Sequence, residues 1–561
     1  MSSPQFDAIV VGSGISGGWA AKELTEKGAK VLLIDRGRMV RHGEDYEFEH
    51  KAPWEMPFHG FGDRQLYDRD YAIQRRSRTF EEGSAQFYVN DREQPYQMDP
   101  GTDFSWLRAN QVGGRSLTWG RASFRYSDFN FSENKRDGHG IDWPIRYADI
   151  APWYDYVEKF IGVSGARDDI DTLPNGNFLP PFALNCLEEH AKEKIESAFP
   201  GRHMINERTA VLSQDHNGRA ACHLCGPCHR GCSTGSYFST QSSTLPAAEA
   251  TGRLTVMSDT IVASVDYDPA TRRVTAVRTI NSRTGVHETI AARMIFLNAS
   301  ALGTLHILLN SVSETFPKGL ANNSGAVGHG IMDTVKGPVI RAVFSGFEEF
   351  QPIGNRPTGI YIPRFRNIGG RDTDFLRGYG YQGSGSREMW TRGVQSRTIG
   401  ADLKAELRKP GPWSMMIGGM GEPLPDFNNH VRLSPTEKDK WGIPQLLTSH
   451  RWGDNETRMT HDMVKEGEAM MRAAGAIKVS STYGLRPCGE SNHEMGGARM
   501  GHDPREAVLN GFNQAHDIPN LFITDGACMT SSPAQNPSLT YMALTARAAD
   551  YAMTQFKQGA I

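Results

Sequence analysis

The first 35 residues narrow the fold more than anything else in the chain. Phe6 to Gly12 (FDAIVVG) reads as a buried parallel strand rich in β-branched residues. Gly12-Ser-Gly14-Ile-Ser16-Gly17 follows at once. A helical pattern then runs through Trp19, Ala20, Ala21 and Leu24 to Gly28, where a glycine can end it. A second strand, Lys30 to Ile34, leads into Asp35, an acid 21 residues after Gly14. In such a β-α-β unit Gly12 permits the tight turn, Gly14 lets the backbone approach a pyrophosphate, and Gly17 lets helix and strand pack closely. The helix N-terminus offers free N–H groups and a positive dipole end to phosphates, and Asp35 can accept ribose hydroxyls. These residues predict a dinucleotide-binding α/β domain; they do not distinguish NAD from FAD.

The chain has 561 residues, 38% hydrophobic and 22% charged, enough for two large domains or one intertwined pair. A formal charge of −3 gives no basic footprint for nucleic acid. No run of 18 apolar residues occurs, and Met1 to Phe6 is too short and polar for a secretory signal. A soluble protein made in the cytoplasm is expected, with export alongside a signal-bearing partner left open.

Residues 38–100 are polar and aromatic and read as a long excursion or lid. Residues 110–124 form a second glycine-rich loop, containing Gly113, Gly114, Ser116, Thr118, Trp119 and Gly120. Strands are expected at 254–257, 261–267, 275–280 and 294–297, followed by a helix from Ala299 toward Leu309. Strand-like stretches at 338–344, 359–364 and 413–419 suggest an antiparallel sheet domain. A short strand at 521–524 ends in Asp525, and Asn536-Pro537 opens a last helix, with Asn536 at the N-cap and Pro537 at N1.

Four of the seven cysteines crowd into one run, Cys222, Cys225, Cys228 and Cys232. The C-x2-C-x2-C-x3-C spacing matches the run used by bacterial iron–sulfur ferredoxins. Structural zinc is the main alternative, and short-range disulfides are a strained third. Beside a nucleotide site, the run suggests an oxidoreductase that passes its electrons on one at a time.

The chain resembles the glucose–methanol–choline (GMC) flavoprotein family. Gly12-x-Gly14-x-x-Gly17 with Asp35, the Val112-to-Gly120 loop, the Ala299-to-Leu309 segment and the pair His493…Asn536 occur in that family's order, over nearly the whole chain. The resemblance implies FAD rather than NAD and a Rossmann-like FAD-binding domain interleaved with a substrate domain, an antiparallel β-sheet covered by helices. The divisions expected are 1–331 for FAD binding, including the excursion at 38–100 and a cysteine segment at 215–240, then 332–475 for substrate, then 476–561 returning to the FAD domain. His493 matches the catalytic base and Asn536 the second active-site position. Ser16, Arg36, Val262, Ala299, Asp525 and Pro537 are expected to complete the cofactor site. Thr118 stands where related sugar oxidases tether flavin through a histidine, which implies non-covalent FAD.

A closer resemblance is to bacterial FAD-dependent glucoside 3-dehydrogenase large subunits, on the stretches 112–121, 142–149 and 237–246. It implies oxidation of a sugar hydroxyl to a ketone and a three- or four-iron cluster on Cys222, Cys228 and Cys232, with Cys225 a departure. It also implies a small subunit and a cytochrome or quinone acceptor. Gln382 is a weaker substrate-contact candidate. The alternatives are a gluconate- or sorbitol-type dehydrogenase, a sugar oxidase with structural zinc, a lyase of the same fold, and a non-catalytic electron-transfer subunit.

Overall fold

The computed structural model describes residues 5–561, and two sheets contribute walls to one deep cavity. The first sheet has seven strands. Its parallel part sets Leu254–Met257, Val31–Ile34, Phe6–Val11 and His287–Leu297 side by side, with Leu521–Ile523 also pairing with His287–Leu297. Strand His287–Leu297 changes partners along its length. Residues 287–291 run antiparallel to Arg273–Asn281, whereas 292–297 run parallel to Phe6–Val11. Register brings Met257, Ile34, Val11, Leu297 and Ile523 level, so five strands finish at one edge. Ligands of open α/β sheets bind outside such carboxyl ends, where the connections diverge.

Short apolar side chains hold the first helix near its neighbours. Ala20, Ala21 and Leu24 of helix Ile15–Glu26 share a core with Ala548, Ala549 and Ala552 of helix Ser538–Lys557. The expected end of the first helix is observed: Lys27 caps it, and Gly28 takes a φ of +102°.

The second sheet has six strands, in the order Lys478–Thr482, Val335–Phe344, Trp413–Gly421, Tyr379–Arg387, Ile360–Ile362 and Ile205–Asn206, all antiparallel. Helices Cys186–Ala198 and Asp454–Ala473 cover one face and share its core. Close packing there depends on glycine: a Cβ at Gly419 or Gly421 would strike the thioethers of Met463 and Met459. The other face, with Met416, Gly418 and Gln382, looks into the cavity. The pairings cut across the divisions at 331 and 475. Cys186–Ala198 and Ile205–Asn206 precede 331 and Lys478–Thr482 follows 475, yet all three belong with the second sheet.

The excursion at 38–100 supplies Arg78, Thr79, Tyr88, Val89 and Gln94 to the cavity wall, and Gln97–Met98 joins a small sheet with Pro444–Ser449 and His430–Lys438. Among the described residues no helix is long and apolar enough to cross a membrane.

Candidate active site

The cavity, about 550 Å³, opens at the level carboxyl ends of the first sheet. Gly12 has φ +92°, and a Cβ there would overlap the backbone carbonyl of Asn298, so the turn requires glycine. Gly14 differs. A Cβ on it would meet no protein atom within 4 Å, and the residue lies on the cavity wall, so only a bound group gives a reason for its smallness. The helix that follows has no side-chain cap and no acid in its first turn, which leaves its N–H groups for an anion. These features fit the diphosphate of a dinucleotide.

All the expected cofactor residues line the cavity except Gly17 and Gly113, which stand behind the wall. Gly17 packs so closely that a Cβ would strike the Gly12 carbonyl, as helix-on-strand packing demands. Gly113 (φ +94°) donates its N–H to Ser13 Oγ at 2.7 Å. Ser13 in turn donates its N–H to Asp35 at 3.0 Å and its hydroxyl to the same carboxylate. Asp35 also accepts from Gly37 N at 2.8 Å, and burial raises its pKa. The acid thus ties the two glycine loops together as well as facing the cavity. Arg36 lies 4.9 Å from the Trp441 ring centroid, with Asp439 at 3.7 Å.

At the far end of the wall, a chain of hydrogen bonds runs through four side chains. Gln382 donates its amide N–H to Asn536 Oδ1. That leaves Asn536 Nδ2 facing His493 Nε2 at 3.3 Å, and His493 Nδ1 lies 2.9 Å from Thr334 Oγ1. One polarity satisfies every link: Asn536 Nδ2–H donates to Nε2, and Nδ1–H donates to Thr334. This assigns the tautomer with its lone pair on Nε2. Burial pushes the imidazole down to about 3, with the charges of Lys336 and Arg115 adding, so His493 is neutral at ordinary pH.

The backbone around His493 is held by Asp333. Its carboxylate accepts from Gly489 N at 2.7 Å, Ser491 N at 3.2 Å and His493 N at 3.0 Å, and from the Ser491 hydroxyl. Beside it Arg115 grips Glu494 at 2.7 and 3.2 Å. Asp525 accepts from Thr304 Oγ1 at 2.6 Å and Ala527 N at 2.9 Å, and burial lifts it to about 6.

Asn536 corrects one expectation. The helix begins at Ser538 with Pro537 as its cap, and no side chain caps it. Asn536 is not the cap, because its amide is engaged by Gln382 and His493. Sequence reasoning missed Thr334, Asp333 and Lys336. They sit in an ordinary strand lead-in, Met332-Asp-Thr-Val-Lys336, with no motif around them.

The cysteine run is the larger correction. Among the described residues no group of three or more His, Cys, Asp or Glu side chains is gathered to hold a metal. Cys222, Cys225, Cys228 and Cys232 are free thiols, and Cys225 is exposed. Cys222 Sγ accepts from Leu224 N at 3.4 Å, and Cys232 Sγ lies 3.3 Å from Thr234 Oγ1. Burial raises the pKa of Cys222, Cys225 and Cys228. The run as placed fits neither a cluster nor zinc, so no electron-transfer step is assigned to it.

Models of the GMC oxidoreductase family match residues 6–333 and 425–545. The chain belongs to the GMC oxidoreductase family. Membership implies FAD and chemistry on CH–OH groups, and the cradle around Gly12, Gly14 and Asp35 fits that cofactor. Among relatives of this GMC oxidoreductase, 2-methyl-1,2-propanediol dehydrogenase of Mycolicibacterium austroafricanum is 28% identical, over 99% of this chain and 96% of its own. The fructose dehydrogenase large subunit of Gluconobacter japonicus is 25% identical, over 99% and 98%. The crystal structure of pyridoxine 4-oxidase from Mesorbium loti shares the fold, with a TM-score of 0.59 at 15% identity over 97% of this chain and 98% of that one.

Proposed function

We propose that this GMC oxidoreductase is a sugar dehydrogenase that oxidises a secondary hydroxyl, at C3 of a glucoside or disaccharide, to the ketone, using non-covalent FAD. The observation that carries the reading is the directed hydrogen-bond chain through a neutral, cavity-lining His493, whose Nε2 is met by the Asn536 amide and whose Nδ1 is held by Thr334. A sugar hydroxyl that displaces the Asn536 amide from Nε2 gives its proton to Nε2 and accepts a hydrogen bond from Asn536 Nδ2. Thr334 accepts the Nδ1–H throughout, so the ring becomes an imidazolium without turning. Bound FAD supplies the acceptor for the hydride that leaves the same carbon. Gln382 keeps the Asn536 amide from flipping. Arg78, Thr79, Tyr88, Val89 and Gln94 of the excursion and Gln382, Met416 and Gly418 of the second sheet line the same cavity.

Resemblance in the stretches 112–121, 142–149 and 237–246 supports a glucoside substrate. A relative that is named a large subunit supports a small-subunit partner, and the glucoside 3-dehydrogenase resemblance supports a cytochrome or quinone acceptor. The test is anaerobic: the FAD-loaded protein is mixed with methyl β-glucoside and with a disaccharide. Bleaching of the flavin with a 3-keto product is expected. Bleaching only by small aliphatic diols removes the sugar assignment.

A further inference from the structure

Past His493, the cavity wall carries more positive charge than its surroundings neutralise. Arg78, Arg121 and Lys336 arrive from three separate segments and all line the cavity. Among the described residues none of the three has a carboxylate oxygen within 4.0 Å. Arg121 is only 9% exposed. Its Nη2 reaches the Pro357 carbonyl at 3.2 Å, while Nε and Nη1 are buried without any partner. The guanidinium carbon lies 5.1 Å from the Tyr237 ring centroid. The backbone at Arg121 is left-handed, φ +66°, a cost of about 1 kcal/mol or more for a non-glycine residue. Arg78 Nη2 lies 4.0 Å from where a Cβ on the neighbouring Gly120 would stand, so the two guanidinium groups belong to one patch. Lys336 is half-buried. Burial, with Arg78 adding, lowers its pKa to about 8, and Arg486, Asp333 and Glu490 also face it.

The nearby acids are already engaged. Asp333 accepts the backbone N–H groups of the His493 loop, and Glu490 pairs with Arg486 at 3.3 Å. Glu207 accepts from Gly359 N at 3.0 Å and Thr358 Oγ1 at 3.1 Å; it lines the same cavity and its charge faces Arg121 and Arg78, offsetting part of theirs and leaving the three cations in excess. Arg121 Nε and Nη1 have almost no accessible surface, so Arg121 contributes its charge, while Arg78 and Lys336 line the cavity beside it; the natural acceptor for such a set of cations is an oxyanion. We propose that Arg78, Arg121 and Lys336 form an oxyanion-recognition subsite in the substrate end of the cavity, so that the sugar oxidised here carries an acidic group. Resting on the sugar-oxidation reading above, this names the substrate class as a polyol with a carboxylate or phosphate, such as a uronic acid glycoside or an aldonic acid.

The test compares methyl β-glucoside, methyl β-glucuronide, gluconate and glucose 6-phosphate on the anaerobic FAD-loaded protein. One acid is expected to exceed the neutral glucoside in kcat/KM by about 10²-fold, the worth of two charge-assisted hydrogen bonds. Arg78→Gln and Arg121→Gln should each cut that preference about tenfold, and Arg121→Lys should fall between. A carboxylate winning and glucose 6-phosphate winning identify the two sources of the anion. A neutral glucoside that equals every acid overturns the subsite, as does a preference unchanged in both variants. Arg78→Gln alters a side chain open to the cavity, and its FAD content and Tm report whether it has folded. If no compound bleaches the flavin, titration of the FAD absorbance with gluconate separates the two readings. A saturable change lost in Arg121→Gln keeps the subsite and removes the oxidation; no change removes both.

Discussion

Replacing Asn536 by aspartate tests the proton path directly. In the wild type an amide N–H meets His493 Nε2 at 3.3 Å. In Asn536→Asp a carboxylate oxygen takes that place, still held by Gln382. A unit negative charge 3.3 Å away, at an effective dielectric of about 20, favours the imidazolium by about 5 kcal/mol. That is between about 3 and 4 pK units, enough to lift the imidazole from about 3 to between about 6 and 7. The sign is definite: below the new pK, His493 is protonated at Nε2 and accepts nothing. The assay is kcat/KM against pH with whichever sugar bleaches the flavin. Wild type should be flat from about pH 5 to 7.5, because His493 is already neutral there. Asn536→Asp should show an acid limb, falling about tenfold per pH unit below its pK. A variant profile that runs parallel to wild type over this range refutes the reasoning, because Nε2 is then not the proton acceptor or Asn536 does not face it.

His493→Ala should lower kcat/KM at least about 10²-fold with FAD content unchanged, measured by flavin absorbance and steady-state rates. The two fingerprint glycines should separate cleanly. Gly14→Ala leaves the apoprotein Tm within about 2 °C but weakens FAD binding at least about tenfold, because its Cβ meets only the cavity. Gly12→Ala, with φ +92° and a carbonyl in the way, destabilises the apoprotein itself by about 2 kcal/mol or more in thermal unfolding. Asp333→Ala strands the N–H groups of Gly489, Ser491 and His493, which should lower Tm and cut kcat/KM at least about tenfold as the His493 loop loosens.

The nucleotide half of the molecule was legible because its constraints are local. A turn that needs φ +92° at Gly12, an uncapped helix start and a strand ending in Asp35 all fall within 35 contiguous residues, and each leaves its mark on the residue type. His493 and Asn536 were legible through their order in a family pattern. The cysteine run is a regular spacing along the chain, and among the described residues it gathers no group of three side chains that could hold a metal. The sequence by itself determined the parallel sheet, its dinucleotide fingerprint and the candidate pair His493 and Asn536. Only the tertiary structure decided what those side chains touch. Gln382 stands 154 residues from Asn536, and Thr334 stands 159 from His493, and these two partners orient the amide and the imidazole. Arg78, Arg121 and Lys336 likewise become one charged wall only when the excursion, the second glycine loop and the second sheet close on the same cavity. Burial and hydrogen-bond direction depend on what the fold brings within about 3 Å, and neighbours in space leave no period or spacing along the chain.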